Sequence, residues 1–128
     1  MTVAELRYLI AVDALYDGEN GVGLTEIATK MGVTKVSVYR AVERLERTEY
    51  LKRDEKNKVV MTEKGKEVLS EYMIIINFVR NHLECHCGTP AEIAYQDALG
   101  AAAAFSDISR KKIIEVGLLG IQKDDEKE

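Results

Sequence analysis

One stretch of the chain decides the fold: residues 24–45 read LTEIATKMGVTKVSVYRAVERL. Apolar residues recur at helical spacing on both sides of Gly32, which predicts a helix over Leu24–Met31 and a second one that is capped by Thr34 and ends near residue 48. Two helices that cross through a short turn need a small side chain between their axes and a turn residue that tolerates positive φ, and Ala28 and Gly32 supply them. The positions that would close the small core are also apolar, namely Ile27, Met31, Val33, Val38 and Ala41. The stretch therefore predicts a helix-turn-helix.

The residues on either side extend this unit to a winged helix. Before it, we predict a helix from Val3 to about Tyr16, followed by a glycine-rich loop. After it, two short strands over residues 51–55 and 58–61 are joined at Lys56 and Asn57 in a small hairpin. A hairpin directly after a helix-turn-helix is the wing of a winged helix.

The second half of the chain is predicted to be helical. The run of three isoleucines at residues 74–76 alone would favour a strand, but the polar residues around it and the helical spacing of the apolar ones favour a helix. The predicted elements are a long helix capped by Thr62 and ending near Leu83, a loop over residues 85–89, a helix from Thr89 or Pro90 to about Phe105, and a last helix from Ser106 to about Leu119.

These elements predict a mainly α fold with a small β-hairpin wing. A winged helix-turn-helix domain is expected at residues 1–62, a helical dimerisation domain at residues 63–121 and a disordered, charged tail at residues 122–128. A homodimer is expected because residues 98–105 are apolar almost all round, and such a helix must be buried on more than one side. The residues predicted to face the partner are Ala98, Ala101, Ala102 and Phe105.

Charge is unevenly distributed along the chain. The net charge is −4, yet residues 30–66 hold 11 of the 18 Lys and Arg and only 6 of the 22 Asp and Glu. A basic segment in an acidic protein is typical of one localised surface that faces phosphates. The sequence shows neither a secretory signal nor an apolar run long enough to span a bilayer, so we expect a cytoplasmic protein without a membrane partner.

The outward side of the second helix carries candidate contacts to double-stranded DNA. A recognition helix reads base edges with the side chains near its N-terminus, and a wing lies along neighbouring phosphates. Lys35 and Arg40 could donate to guanine edges or phosphates, and Ser37 and Tyr39 could bond a phosphate or pack on a thymine methyl. The predicted set is Thr34, Lys35, Ser37, Tyr39, Arg40 and Arg44 on the helix with Lys52, Arg53, Lys56 and Lys58 on the hairpin. For each of them the alternative is an ordinary solvated side chain.

The chain resembles the DtxR/MntR family of iron- and manganese-dependent repressors. The matching stretches are LTEIATKMGVTKVSVYRAVERLERTEYL at residues 24–51, VVMTEKGKEVL at 59–69 and AYQDALGAAAAFSD at 94–107. The resemblance implies a repressor whose C-terminal helices form the dimer and carry transition-metal ligands. The family's ligand positions fall here on Leu99, Ala102 and Ala103 in the fifth helix, Tyr72 and Ile76 in the fourth, and Arg7 in the first. Because Mn²⁺ and Fe²⁺ need carboxylate, imidazole or thiol donors, we expect the family metal site to be lost and no cofactor to be bound there.

A second cluster of possible ligands consists of His82, Cys85, His86 and Cys87. These soft donors suit Zn²⁺ or Cu⁺, but one residue between the cysteines is less than the usual spacing of structural zinc sites. Polar packing at a helix end is the favoured interpretation, and metal binding or a redox-sensitive thiol pair is the alternative.

A DNA-binding regulator is therefore the leading functional hypothesis. The alternatives are a winged-helix protein-interaction module and a MarR-like regulator that responds to a small ligand or a redox signal. The basic residues of the second helix and the wing favour DNA over a protein partner. The sequence contains no His-centred triad, paired carboxylates or phosphate-cradling glycine loop, so we do not expect an enzyme.

Overall fold

The computed structural model describes residues 1–127, with side chains up to Leu119. Within that range, six helices and one antiparallel pair of strands confirm the predicted mainly α fold with a β-hairpin wing. The predicted disordered tail, residues 122–128, lies beyond the side chains that the structure describes. The elements are α1 (Val3–Leu15), α2 (Leu24–Met31), α3 (Lys35–Arg47), β1 (Leu51–Arg53), β2 (Val59–Met61), α4 (Glu63–Cys87), α5 (Ala91–Ala104) and α6 (Asp107–Lys127).

The turn between α2 and α3 forms as its sequence predicts. Gly32 ends α2 in the left-handed region, with φ 67° and ψ 35°, where a side chain would be strained. Thr34 then caps α3, because its hydroxyl oxygen accepts a hydrogen bond of 3.1 Å from the backbone N–H of Ser37. One expectation was wrong: Val33 does not close the core but is 39% exposed. Val33 belongs to the turn itself, where its backbone N–H bonds to the Ala28 carbonyl at 3.1 Å and its side chain is left outside.

The hairpin lies against the loop that precedes α2. Leu51 pairs with Met61 and Arg53 with Val59, and Val22 adds an antiparallel bridge to Val59 on the other edge of β2. The turn is closed by Asp54, whose carboxylate accepts hydrogen bonds of 2.9 Å from the backbone N–H groups of residues 56 and 58. The wing is therefore held both by its own turn and by the loop after α1.

The start of α4 is fixed to the end of α3. Thr62 caps α4 as predicted, accepting a bond of 3.0 Å from the Gly65 N–H. The Thr62 hydroxyl also lies 2.5 Å from the carbonyl oxygen of Glu49, a residue that follows α3 in a left-handed conformation with φ 66°. The chain divides into two compact units at residues 69 and 70, inside α4, whereas the predicted domain boundary lay at residues 62 and 63.

The winged-helix unit, residues 1–69, buries the apolar faces of its three helices and its hairpin. Val38, Ala41, Val42 and Leu45 are fully buried on α3, which confirms the predicted stripe. Burial of side chains of this size stabilises a fold by about 1.5–3 kcal/mol each. Other fully buried side chains of this unit are Leu6, Leu9, Val22, Ile27, Leu51 and Val59.

The helical unit, residues 70–128, contains the rest of α4 with α5 and α6. Helix α4 passes through the isoleucine run without a break, so Ile75 and Ile76 are buried in a helix and not in a strand. Arg110 of α6 joins the three helices. Its guanidinium donates to the Phe105 carbonyl at 2.6 Å, pairs with Asp107 and lies 5.6 Å from the ring centre of Tyr72 on α4.

The prediction of a loop over residues 85–89 was wrong for residues 85–87. Helix α4 continues through Cys87 and ends where Gly88 adopts φ 69°. The Thr89 N–H bonds back to the Leu83 carbonyl at 2.9 Å, which closes the helix end. Cys85 and Cys87 are therefore both helical residues. None of the helices, as far as the structure describes them, is long and apolar enough to cross a lipid bilayer.

Candidate nucleic-acid interface

Helix α3 separates its buried and exposed faces cleanly. With its apolar stripe inside, the N-terminal half presents the predicted polar and basic side chains to solvent. Those exposed are Thr34, Lys35, Ser37, Tyr39 and Arg40, and Arg44 is exposed one turn further on. The face has the length and the chemistry that a recognition helix needs in a major groove.

Two of these side chains are already engaged with each other. The Thr34 hydroxyl donates to the Ser37 hydroxyl at 2.9 Å while it accepts the Ser37 backbone N–H. Their first role is thus to begin the helix, and contacts to a base or a phosphate would use the remaining hydrogen-bonding capacity of each hydroxyl.

Val36 is a residue of this face that the sequence analysis missed. Its side chain is 60% exposed, more than that of the neighbouring Tyr39 at 47%. An exposed valine on the N-terminal turn of such a helix can pack on the methyl group of thymine. The available signal was its helical position: Val36 is four residues before Arg40 and two before the buried Val38, so it points away from the core.

Arg53 has a role different from that of the other wing cations. Its Nε donates to the Glu46 carboxylate of α3 at 3.2 Å, and its Nη1 donates to the Asn57 side chain at 3.3 Å. Its guanidinium also lies 5.4 Å from the ring centre of Tyr39. Arg53 therefore fastens the wing to α3 and positions Tyr39, instead of standing free to face a phosphate.

Two lysines of the wing, Lys56 and Lys58, line a groove that they share with α2 and the start of α3. The groove, of about 430 Å³, lies between the N-terminus of α2 and the tip of the hairpin. Three cations line it, namely Lys35 from α3 and Lys56 and Lys58 from the hairpin, with Glu26 of α2 as its one acidic side chain. The backbone N–H groups at the start of a helix and nearby ammonium groups both attract phosphate oxygens. Lys52 is exposed on β1.

The opposite flank of α3 differs in charge. A second groove, of about 580 Å³, combines Glu43 and Glu46 with Arg47 and Arg53. The acidic side chains there would repel a phosphate backbone. The lysine-lined groove and the N-terminal half of α3 together form the surface of the winged-helix unit that suits DNA.

The positions to which the resemblance assigns metal ligands carry few donor atoms. Leu99 and Ala102 are buried and offer no donor atom, and Ile76 is fully buried on α4. Tyr72 lies under the Arg110 guanidinium, and that same cation approaches the Ala102 carbonyl at 3.5 Å. A fixed positive charge and apolar side chains are unsuited to Mn²⁺ or Fe²⁺. The other two positions are the half-buried Ala103 and the exposed Arg7.

The predicted dimer residues differ in accessibility. Ala98 and Ala102 are fully buried in the single chain, and Ala101 and Phe105 are half-buried. The exposed large apolar side chains of the helical unit lie elsewhere on α5 and α6, at Ile93, Ile108, Val116, Leu118 and Leu119.

Comparison with known proteins agrees with this fold. Residues 8–55 match the model of the IclR helix-turn-helix domain, which is less than half of the chain. No match is found among curated protein sequences. A hypothetical protein from Sulfolobus solfataricus superposes with a TM-score of 0.74 at 17% identity, over 91% of this chain and 88% of its own.

Two regulators of known structure have the same fold. The manganese regulator SloR superposes with a TM-score of 0.73 at 20% identity over 88% of this chain and 52% of its own. The IdeR protein of T. acidophilum superposes with a TM-score of 0.63 at 20% identity over 87% of this chain and 52% of its own. The chain thus spans about half the length of each. Together with the geometry of α2, α3 and the hairpin, these likenesses make the chain a winged helix-turn-helix protein followed by a helical unit.

Proposed function

We propose that this protein is a sequence-specific DNA-binding transcription regulator that acts as a homodimeric repressor. The observation that carries the proposal is the single exposed surface made by the N-terminal half of α3 and the lysine-lined groove beside it. It gathers polar, aromatic and basic side chains at the place where a winged helix meets duplex DNA.

The contacts divide into base readout and phosphate binding. Lys35 and Arg40 reach guanine edges in the major groove, while Val36 and Tyr39 pack on thymine methyl groups. Lys52, Lys56 and Lys58 neutralise phosphates along the wing, and Arg44 contacts the backbone behind the helix. Arg53 keeps the wing and Tyr39 in place for these contacts.

The regulator is further proposed to work without Mn²⁺ or Fe²⁺ at the family's metal position. Structures that share the fold include one described as a manganese regulator. In this chain, however, Arg110 already supplies a positive charge between Tyr72 and the end of α5. A cation that is part of the chain cannot be removed by a chelator, so the arrangement of α4, α5 and α6 is permanent.

The direct test starts from operator fragments selected by the protein from random DNA. Arg40→Glu is expected to weaken operator binding at least about tenfold, because one well-formed contact to a base contributes roughly 1–3 kcal/mol. Lys111→Glu makes the same charge change on exposed α6 and serves as the matched control, with affinity close to that of the unaltered protein.

Two solution variables complete the test. The logarithm of affinity should fall linearly with the logarithm of salt concentration, since phosphate contacts release counterions. Affinity should be equal in Mn²⁺ and in chelator. Equal binding by the Arg40 and Lys111 variants, or failure to select any duplex at low salt, would reject DNA binding and favour a protein-interaction module. A large gain with Mn²⁺ would reject metal independence alone.

A further inference from the structure

The last two turns of α4 carry the only two histidines of the chain. His82 and His86 are four residues apart, so their side chains lie on one face of the helix. Their Nδ1 atoms are 3.1 Å apart, within hydrogen-bonding distance of each other, and the two rings are stacked with 4.9 Å between centres and 22° between planes. Both side chains are exposed. The function proposed above makes no use of this pair.

The separation of the two nitrogens matches a shared metal ion. Zinc–imidazole bonds measure about 2.0–2.1 Å, so two such donors on one ion stand roughly 2.9 Å apart at a right angle and roughly 3.3 Å apart at the tetrahedral angle. The observed 3.1 Å falls between these limits. Paired histidines four residues apart on one helical face are also a spacing used by zinc enzymes. We propose that His82 and His86 bind one transition-metal ion of the Zn²⁺ or Cu²⁺ type, with Cys85 as a third ligand.

Cys85 is the third ligand because of its position on the helix. It lies three residues after His82 and one before His86, which places its thiol on the same face, whereas Cys87 points to another side of the helix. Both cysteines are free thiols and exposed. Among the side chains described, no three metal-binding groups are already gathered around a common point. The histidine pair is therefore the preformed part of the site, and the exposed Cys85 side chain rotates onto the ion when it binds.

The residues around His82 and His86 hold the two rings in place and, within the described part of the chain, leave their nitrogen atoms free of other ligands. The edge of the Phe78 ring packs on His82, with 4.6 Å between ring centres, and supports the stack from one side. Glu84 is drawn away by Arg80, whose Nε lies 3.7 Å from the carboxylate, so it is not a ligand. The site is distinct from the family's metal position, whose residues on α5 offer no donor.

Zn²⁺ titration of the full chain, with the thiols kept reduced by a phosphine, is the first measurement. Isothermal titration should give one site per chain, which His82→Ala and His86→Ala each weaken at least about tenfold, because a three-ligand site is left with two ligands. Cys87→Ser is the matched control and should bind as the unaltered protein does. Both histidines are exposed, so circular dichroism should show the helices of these variants unchanged.

Co²⁺ identifies the third ligand. A sulfur-to-cobalt charge-transfer band should appear on binding, disappear in Cys85→Ser and persist in Cys87→Ser. The absence of saturable Zn²⁺ binding would overturn the proposal, as would binding that survives both histidine substitutions, which would place the ion elsewhere. A band that disappears in Cys87→Ser instead would overturn the assignment of Cys85. These outcomes do not depend on DNA binding.

Discussion

Gly65 is required in α4 because any side chain at this position would clash with neighbouring atoms. A Cβ added there would lie 2.2 Å from the Tyr50 carbonyl oxygen and 2.8 Å from Cγ of Met61. From helix propensity alone, a glycine in the first turn of α4 is a modest cost to stability. The structure gives its reason: the helix starts directly against the backbone that follows α3, and only a hydrogen atom fits between them.

Gly65→Ala is therefore expected to lower the free energy of unfolding by about 1–3 kcal/mol, the range for overpacking in a well-packed site. Helix propensity alone predicts the opposite, a gain of about 1 kcal/mol. Gly100→Ala is the matched control in α5, because no atom lies within 4 Å of its added Cβ. It should stabilise the protein by about 0.5–1 kcal/mol. Urea unfolding measures both, and a gain in stability for both variants would contradict the close contact.

At the scale of elements, the wing and the recognition helix are coupled by Arg53. Its side chain is only 18% exposed where it meets Glu46. Lys52, the preceding residue on β1, is exposed on the other face of the strand. Alternation along the strand thus gives two neighbouring cations different surroundings: Arg53 is bonded within the protein, and Lys52 is exposed to solvent, where we propose that it meets a phosphate.

Comparing Arg53→Gln with Lys52→Gln separates these tasks. Arg53→Gln should reduce the free energy of unfolding by about 1 kcal/mol, through loss of a half-buried charged hydrogen bond. Lys52→Gln should leave stability within about 0.5 kcal/mol, as most surface substitutions do, and act on the salt dependence of DNA affinity. Thermal unfolding and binding at several salt concentrations are the measurements. The division of tasks fails if Arg53→Gln leaves stability unchanged, or if Lys52→Gln is the more destabilising of the two.

Features that depend on one residue and its own backbone were predictable from the sequence. Features that depend on packing between elements were less predictable. Gly32 and Thr34 act on their own backbone, so the turn and the α3 cap followed from residue type. Whether Val33 and Val36 are buried or exposed depends on how the turn is oriented towards the core. No single side chain determines that orientation. Helix α4 extends beyond its predicted end near Leu83. The left-handed residue that closes it is Gly88, so Cys85 is still inside the helix. The roles of individual DNA-contacting residues stay predictions.

For the whole molecule, the proposed two-fold contact is better placed on α6 than on the alanines of α5. Ala98 and Ala102 have no exposed surface to offer a partner. By contrast, Ile108, Val116 and Leu119 are 74%, 53% and 57% exposed, and helical spacing puts them on one side of α6 together with the ion-paired Lys112 and Glu115. A regulator of this kind needs two recognition helices about one turn of DNA apart, so a second copy of the chain is the partner that we propose for this face.

Val116→Glu tests this dimer. In a symmetric contact each substitution acts twice, so a buried charge on this face should convert dimers to monomers and lower operator affinity towards the non-specific level. Lys111→Glu, exposed on the same helix at the margin of this face, should weaken the dimer much less than Val116→Glu. Analytical ultracentrifugation in chelator gives the oligomeric state. The proposal is wrong if the unaltered protein is a monomer at micromolar concentration. It is also wrong if the Val116 variant remains dimeric.

Helix α4 starts in the winged-helix unit and continues into the helical unit, and the division after Leu69 leaves no break in it. Forming the first turn of a helix is the unfavourable step, whereas each added residue is close to neutral or favourable. Whichever unit folds first therefore supplies the other with a helix that is already nucleated. The second unit then only has to extend that helix past residue 69, so the two units are linked in the order of folding although each buries its own apolar side chains.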